Sequence, residues 1–546
     1  MPTQLRDDEE ETMAGRQRMS PVDTAWLRMD SPGNLMMIVG IDVFADRLDV
    51  DRLKRVLAQR FLTYDRFRSR VTQDATGYWW EEDGDFDLDQ HLVRVELPAP
   101  GGKAELQKFA AQLASQSLDP GKPLWQMHLV EHYDGGSALI VRIHHCIADG
   151  MALMGVLLSM ASTHPDGDRT EPPHAPARAG RRPHDGTWDA LLRPFTDATV
   201  KAIDATGDMA TRVLHAYAAV LEDPNRAGEA AAEYARIAAR VAQDAAALAL
   251  MDSDSATSLK GKTSGSKVVA WNEPLRLADV KAVGHALGCS VNDVLLACVA
   301  GAFREYLVAR GEDVTGCEIR AMVPVNLRPP GPPKTLGNKF GLVPLLLPVG
   351  IENPIARVLE VHARMEELKG GYMPVLSMAV LGMSGLVPRA VQNQILEIFQ
   401  RKTTAVMTNV PGPQQTLYLA GARLKQMMFW VPQSGNIGVG VSILSYDGGV
   451  QFGLVTDKKL CADPQDVIDR FAPEFEKLVY ALLLLPWEEY VDPELAERAL
   501  FATETVAGVA TRLMENHAAQ VTTPSEPAAA PRKRRSAFAA ARAAEH

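Results

Sequence analysis

Cysteine is scarce: five residues in 546 (Cys146, Cys289, Cys298, Cys317 and Cys461), odd in number and scattered. That excludes a disulfide framework and suits free thiols in a reducing compartment. Basic charge is also short, with 57 Lys and Arg against 68 Asp and Glu and a net charge of −11. No zinc-finger or Gly-rich phosphate-loop pattern is present, so a general nucleic-acid binder is set aside. The chain has no G-x-S-x-G turn, which removes the serine nucleophile elbow. Unbroken hydrophobic spans are missing too. Three uncharged runs, Gly370 to Pro388, Thr403 to Ala422 and Gln426 to Tyr446, approach a membrane span in length, but proline, glycine and polar residues interrupt each, so buried or interfacial segments are expected. The first twenty residues are too acidic and polar for a secretory signal or a transit peptide, and no export is implied.

What is present is a globular composition, 46% hydrophobic and 23% charged, long enough for two large domains plus extras. The chain is organised around Ser137 to Met154, SALIVRIHHCIADGMALM. Its apolar run predicts a buried strand that ends on His144 and His145. Asp149 is placed to cap a helix over Gly150 to Ser162, whose positive end would lie near the imidazoles. Thirteen histidines should give a His-x-x-x-Asp match by chance, and His164 with Asp168 is one, lying in a Pro/Gly-rich segment with no strand before it. Adjacent strand residues face opposite ways, so His144 and His145 cannot both easily ligate one ion, and no metal is expected there.

In chain order, residues 1–18 form a polar lead and 19–165 a first lobe holding the histidines. Within it Leu35 to Phe44 reads as a strand, Asp51 to Phe67 and Leu106 to Leu118 as helices. Tyr133-Asp134-Gly135-Gly136 reads as a hairpin turn that pairs the histidine strand antiparallel with the strand after Trp125. Residues 166–266 form a connector and linker, Pro/Gly/Arg-rich to Arg182 and then Ala-rich from Thr187 to Met251, where two or three helices are expected. A second lobe covers 267–500, with helices over Leu277 to Leu287 and from Asn292 or Asp293 to Gly311, a strand and tight turn over Ala405 to Pro413, and a hairpin whose turn, Tyr446 to Gly449, repeats YDGG. The repeated turn points to two pseudo-equivalent α/β lobes. Residues 501–546 form an extension with a basic tail.

In this order the residues Ser20 to Asp23 (SPVD), Pro123 to Trp125 (PLW), His144 to Gly150 (HHCIADG), Asn292-Asp293, PVNLR from Pro324, Gly337-Asn338 and NVPGP from Asn409 are similar to those of the bacterial wax ester synthase/diacylglycerol acyltransferase family. The HHxxxDG pattern alone is shared with peptide-synthetase condensation domains. The resemblance implies an α/β fold of two chloramphenicol-acetyltransferase-like lobes with a central channel, joined by a helical linker. It also implies transfer of a long-chain acyl group from acyl-CoA, a substrate and not a cofactor, to diacylglycerol or a long-chain alcohol.

The chemistry asks for a base, because a hydroxyl with a pKa comparable to that of water, roughly 15.7, is a poor nucleophile at neutral pH. His145 is expected to take the alcohol proton and return it to the departing CoA thiolate, with no acyl-enzyme. Cys146 is the one thiol beside it and should point away. The resemblance makes Asp149 structural, with an arginine partner. His144 is expected to position the loop or fill core. For the oxyanion the expected donors are Asn292, whose family counterpart is implicated in activity, and Thr408 with the backbone of Asn409 to Gly412. Asn292 could equally cap its helix. Trp125 is expected in the core or channel wall, and Met373 to Leu386 could line an acyl tunnel. A cytoplasmic protein attached peripherally to membrane or lipid body is expected, through the basic tail Pro531 to Ala544 or the Gly370 to Pro388 segment.

Overall fold

The computed structural model describes residues 12–13, 16–170, 251–328, 336–369, 373–386, 389–484 and 506–517. The stretch 171–250, which holds the expected linker helices, and the basic tail lie outside the described residues.

Two hairpins build the two lobes. In the first, Trp125–Tyr133 pairs antiparallel with Gly136–His144; in the second, Val439–Tyr446 pairs antiparallel with Gly449–Asp457. Both turn on YDGG with positive φ at the two central residues (Asp134 49°, Gly135 79°; Asp447 46°, Gly448 75°). That backbone matches the right-handed twist of the strands, and Asp-Gly adopts it at little cost.

Around the first hairpin lies a six-stranded sheet in the order Tyr418–Leu419, Ala422–Trp430, Met37–Phe44, Gly136–His144, Trp125–Tyr133, Leu92–Val95. Its first two strands come from the second half of the chain. Ala422–Trp430 runs antiparallel along Met37–Phe44 from Leu424 opposite Phe44 to Trp430 opposite Val39. The boundary at residue 267 therefore divides the sequence but not the sheets. Around the second hairpin lies a seven-stranded sheet in the order Leu275–Arg276, Gly449–Asp457, Val439–Tyr446, Ala405–Pro411, Ile319–Asn326, Phe340–Leu347, with Lys267–Trp271 also on Gly449–Asp457.

The period of two in Met37–Phe44 assigns each face. Met37, Val39, Ile41 and Val43 enter a core shared with Val269, Trp271, Trp430 and Val455, which joins the sheets. On the opposite face Met36 and Phe44 join Trp125, Leu139, Ile143 and the helix Gly150–Met160. That helix ends before the expected Ser162, because the Ser162 amide donates to Tyr418 O (2.9 Å) and its carbonyl accepts from the Tyr418 amide (2.7 Å). The helix expected over Asp51 to Phe67 is also shorter, Val50–Val56, followed by a π-turn at Leu57–Phe61 and a single 3-10 turn. Part of the polar lead is paired: Arg16–Arg18 runs antiparallel to Gly77–Glu82, Arg16 lying 5.6 Å over Trp79 and 3.1 Å from Glu81. Within the expected extension, Val506, Val509 and Ala510 of the helix at 506–517 are buried in the second core.

That second core is wrapped by Leu277–Leu287, Val291–Ala309, Pro354–Lys369 and Pro464–Leu483. Inside it Arg357 pairs with Glu474, with side chains only 2% and 3% exposed. The other guanidinium donors go to Ala297 O (Nε, 3.0 Å) and Ile351 O (Nη1, 2.8 Å), so this buried charge is fully partnered. Gly301, inside the long helix, leaves the space the pair occupies; a Cβ there would overlap both Glu474 Oε2 and Arg357 Nη2. Helix propensity alone would make Gly301→Ala stabilising by about 1 kcal/mol. Displacing a locked ion pair costs more, so the substitution should lower stability by about 1–3 kcal/mol net. The urea unfolding midpoint measures this, and a rise would contradict it.

Candidate active site

The histidine strand ends between two neighbours that each take one of its last amides: His144 N–H donates to Leu124 O (2.9 Å) and His145 N–H to Met36 O (2.8 Å). The chain then turns, with Ile147 N–H donating to His144 O (3.0 Å). His144 lies opposite Met37 on the neighbouring strand. Its Nδ1 accepts the Cys146 amide (3.1 Å), which fixes the proton on Nε2, 3.5 Å from Asp30 Oδ1. It shapes the loop.

His145 faces the other way and is 3% exposed. Its Nδ1 lies 2.8 Å from Asn338 Oδ1. The Asn338 amide nitrogen donates to Asp23 Oδ1 (2.8 Å) and back to His145 O (2.7 Å). A carboxylate and a carbonyl can only accept, so both must meet the NH2 end of Asn338 and its oxygen must face Nδ1. Nδ1 therefore carries the proton and Nε2 keeps its lone pair, which is the tautomer a general base needs. Asp23 is held in turn by Arg66 (3.0 Å), whose Nη1 also donates to Ile147 O (2.8 Å) and which lies 5.0 Å over Trp80.

Local sequence explains the placement. Ser20 caps Pro21–Met29 by accepting from Asp23 N (3.1 Å), and Pro21 opens the helix without an orphan donor. Asp23 and Trp26, three residues apart, share one face. Trp26 stacks on the His145 ring (4.1 Å between centroids, 13° between planes), and Phe340 lies 5.6 Å from it. Burial among these groups pushes the imidazole down to about 4, despite the opposing charge of Asp149.

Asp149 joins a helix cap to an ion pair. Its Oδ1 caps the helix at Ala152 N (2.9 Å), while Oδ2 accepts from Arg328 Nη2 (2.8 Å), Arg328 Nε (3.2 Å) and Lys339 N (2.9 Å). Arg328, the last residue of PVNLR, is the arginine partner, and it also donates to Gly337 O. One acid thereby ties the HHxxxDG loop of the first half to the segment carrying Asn338.

The expected oxyanion donors fare differently. Asn292 does not cap its helix; Ser290 does, with Asp293 reciprocating. Asn292 Oδ1 instead accepts from Asn409 Nδ2 (2.6 Å), so these two are brought together, and the Asn292 NH2 has no partner among the described residues. Thr408 and Gly412 are corrected as donors. The Thr408 hydroxyl, 2% exposed, is directed to Val441 O (3.3 Å), and the Gly412 amide to Ser445 O (2.9 Å). Trp125 is core: it is 1% exposed, donates to Phe67 O (2.8 Å) and stacks on His91. Cys146 is fully buried and its thiol is pushed well above its ordinary value by burial, which suits an inert side chain. The chance match at His164 is set apart, since Asp168 pairs with Arg52. Asp23, Trp26, Arg66 and Phe340 had no assigned role, and Asn338 stood only as part of a two-residue motif.

Two sheets built on matching hairpins, with a buried histidine where their segments meet, give an α/β fold of two chloramphenicol-acetyltransferase-like lobes. The fold is shared with a wax ester synthase/diacylglycerol acyltransferase from Marinobacter aquaeolei VT8 (TM-score 0.57, 23% identity, covering 85% of this chain and 99% of that one). It is shared also with the first condensation domain of the calcium-dependent antibiotic synthetase (TM-score 0.53, 16% identity, 86% and 97%). The family model described as the wax ester synthase/diacylglycerol acyltransferase catalytic domain matches residues 19–295, and that of the WS/DGAT C-terminal domain matches residues 336–479. The chain belongs to the wax ester synthase/diacylglycerol acyltransferase family. Among its relatives are two from Mycobacterium tuberculosis named as probable diacylglycerol O-acyltransferases. One is 28% identical over 417 residues (74% of this chain, 83% of the relative), the other 26% identical over 456 residues (80% and 93%).

An imidazole that sits near 4 stays neutral throughout ordinary assay conditions. The acid limb of kcat/KM should therefore fall near pH 4 to 5, well below the 6.5 of an exposed histidine. The depressed value also removes folding stability as pH drops from 6.5 toward 4, because the unfolded chain binds the proton more readily. Brief pH-jump assays separate the two effects, and an acid limb at 6.5 would contradict the buried neutral base.

Proposed function

We propose that this chain is an O-acyltransferase that moves a long-chain acyl group from acyl-CoA directly to the hydroxyl of diacylglycerol, of a long-chain alcohol, or of both, forming triacylglycerol and wax ester. The observation that carries this reading is the His145 tautomer: Asn338 holds the proton on Nδ1 and leaves Nε2 free to accept another. The acceptor oxygen attacks the thioester carbonyl as its proton passes to Nε2. The tetrahedral intermediate then breaks its C–S bond, and the CoA sulfur takes the proton back, returning His145 to its starting form. Burial lowers the basicity of His145, but the charge developing on the tetrahedral oxygen stabilises the imidazolium as it forms. Direct transfer is further supported by the inert burial of Cys146.

The acceptors partition into membranes, so the reading includes peripheral attachment to the cytoplasmic face of a membrane or to a lipid body. Among the described residues no single helix is long and apolar enough to cross a membrane. The candidate contacts are the Gly370 to Pro388 segment, which includes the helix Met373–Leu386, and the basic tail Pro531 to Ala544.

Labelled palmitoyl-CoA offered with a panel of diacylglycerols and fatty alcohols tests the chemistry. Wild type and Cys146→Ala should release free CoA and form ester, while His145→Ala should lose roughly 10²–10⁴-fold in kcat, the range for a general base. No ester from any acceptor would overturn the reading, and ester formed only from an acyl carrier protein would move the chain to condensation-like chemistry. Attachment is checked by sedimentation with anionic liposomes at low and high salt, comparing full chain with one ending at Val521. Loss of salt-sensitive binding on truncation is the expected result, and unchanged binding would assign the contact to the Gly370 to Pro388 segment.

A further inference from the structure

Away from His145, the start of the long helix Val291–Ala309 gathers three different donors. Cys289, Asp293 and His362 each offer one ligand atom, and the three atoms lie within 4.8 Å of one another. Cys289 immediately precedes the cap residue Ser290, Asp293 lies in the first turn, and His362 comes from Pro354–Lys369, packed alongside.

Asp293 is the unusual member. It is 0% exposed, yet its two oxygens are unequally used. Oδ2 accepts the Ser290 amide (2.9 Å) and lies 2.8 Å from His362 Nδ1, while Oδ1 is buried with no hydrogen-bond partner. A buried carboxylate oxygen without a partner is costly, and this carboxylate is grouped with a thiol and an imidazole.

We infer that Cys289, Asp293 and His362 form a binding site for a divalent cation of the zinc class. Sulfur, imidazole nitrogen and carboxylate oxygen in one set suit Zn²⁺ rather than Mg²⁺ or Ca²⁺, which take oxygen ligands. His362 has a side chain 34% exposed and Cys289 is half-buried, so the ion has a way in and a fourth position remains for water. No metal site is expected from the sequence, because a set that joins residues 69 apart, Asp293 and His362, has no spacing signature. Bound there, the ion would cross-link two helices one residue from Asn292, which holds Asn409.

Cobalt(II) titration of the full chain tests the site, because a thiolate ligand gives a near-ultraviolet charge-transfer band. The other four cysteines are buried, so the band reports on Cys289. The expected result is one equivalent of Co²⁺ with that band, displaced by Zn²⁺, absent in Cys289→Ser and at least tenfold weaker in affinity in His362→Gln. Thermal melting gives a second reading: Zn²⁺ should raise the midpoint of wild type and not of Cys289→Ser. No band in wild type, a band that survives Cys289→Ser, or equal affinity in His362→Gln would each overturn the assignment.

Discussion

The carboxamide of Asn338 is the constraint on which the site depends. An asparagine side chain has two different ends, and here both partners of one end are obligate acceptors, Asp23 and the His145 carbonyl. The amide cannot turn over without facing oxygen against oxygen, so the protonation pattern of His145 is set by geometry before any substrate arrives. Arg66 neutralises Asp23 without reaching the imidazole, which keeps a full negative charge away from His145 and lets burial dominate its basicity. The arrangement orients the imidazole as the acid of a Ser-His-Asp triad orients its histidine, with a neutral group in contact with the ring.

Around that contact, the two halves of the chain are bound by polar bonds as well as by apolar packing. Asp149 to Arg328 and Lys339, and Asn338 to Asp23, cross from one lobe to the other within the same small volume. Trp26 and Phe340 close over the ring from opposite halves. A relative movement of the lobes would thus act on the orientation of the His145 ring as well as on the distance between the lobes.

What was legible in the sequence was local. Both YDGG hairpins, the strand into His144 and His145, and Asp149 as a cap follow from turn chemistry and periodicity over a few residues. What was not legible was pairing at distance. Asp23 and Asn338 stand 315 residues apart, and neither SPVD nor Gly337-Asn338 carries a mark naming the other. The oxyanion expectation at Thr408 and Gly412 failed for a related reason: residue type suggested free donors, while the parallel neighbour Val439–Tyr446 had already engaged them. Asn292 lay beside a cap, and the geometry alone shows that Ser290 performs the capping.

The strand Ala422–Trp430 has a consequence for how the protein is made. Met37–Phe44 hydrogen-bonds on one side to Gly136–His144, available early, and on the other to a strand whose first contact, Arg423 with Asp46, spans 377 residues. At about 5–20 residues per second a ribosome needs roughly 20 to 75 seconds to supply that partner. Throughout that interval the nascent first lobe presents Met37–Phe44 as an open edge, the kind of surface that captures strands from other chains. Asn338 emerges in the same interval, so the half-built lobe also lacks the group that sets its histidine. The lobes can be told apart in space, yet during synthesis the first becomes whole only when most of the second has been translated.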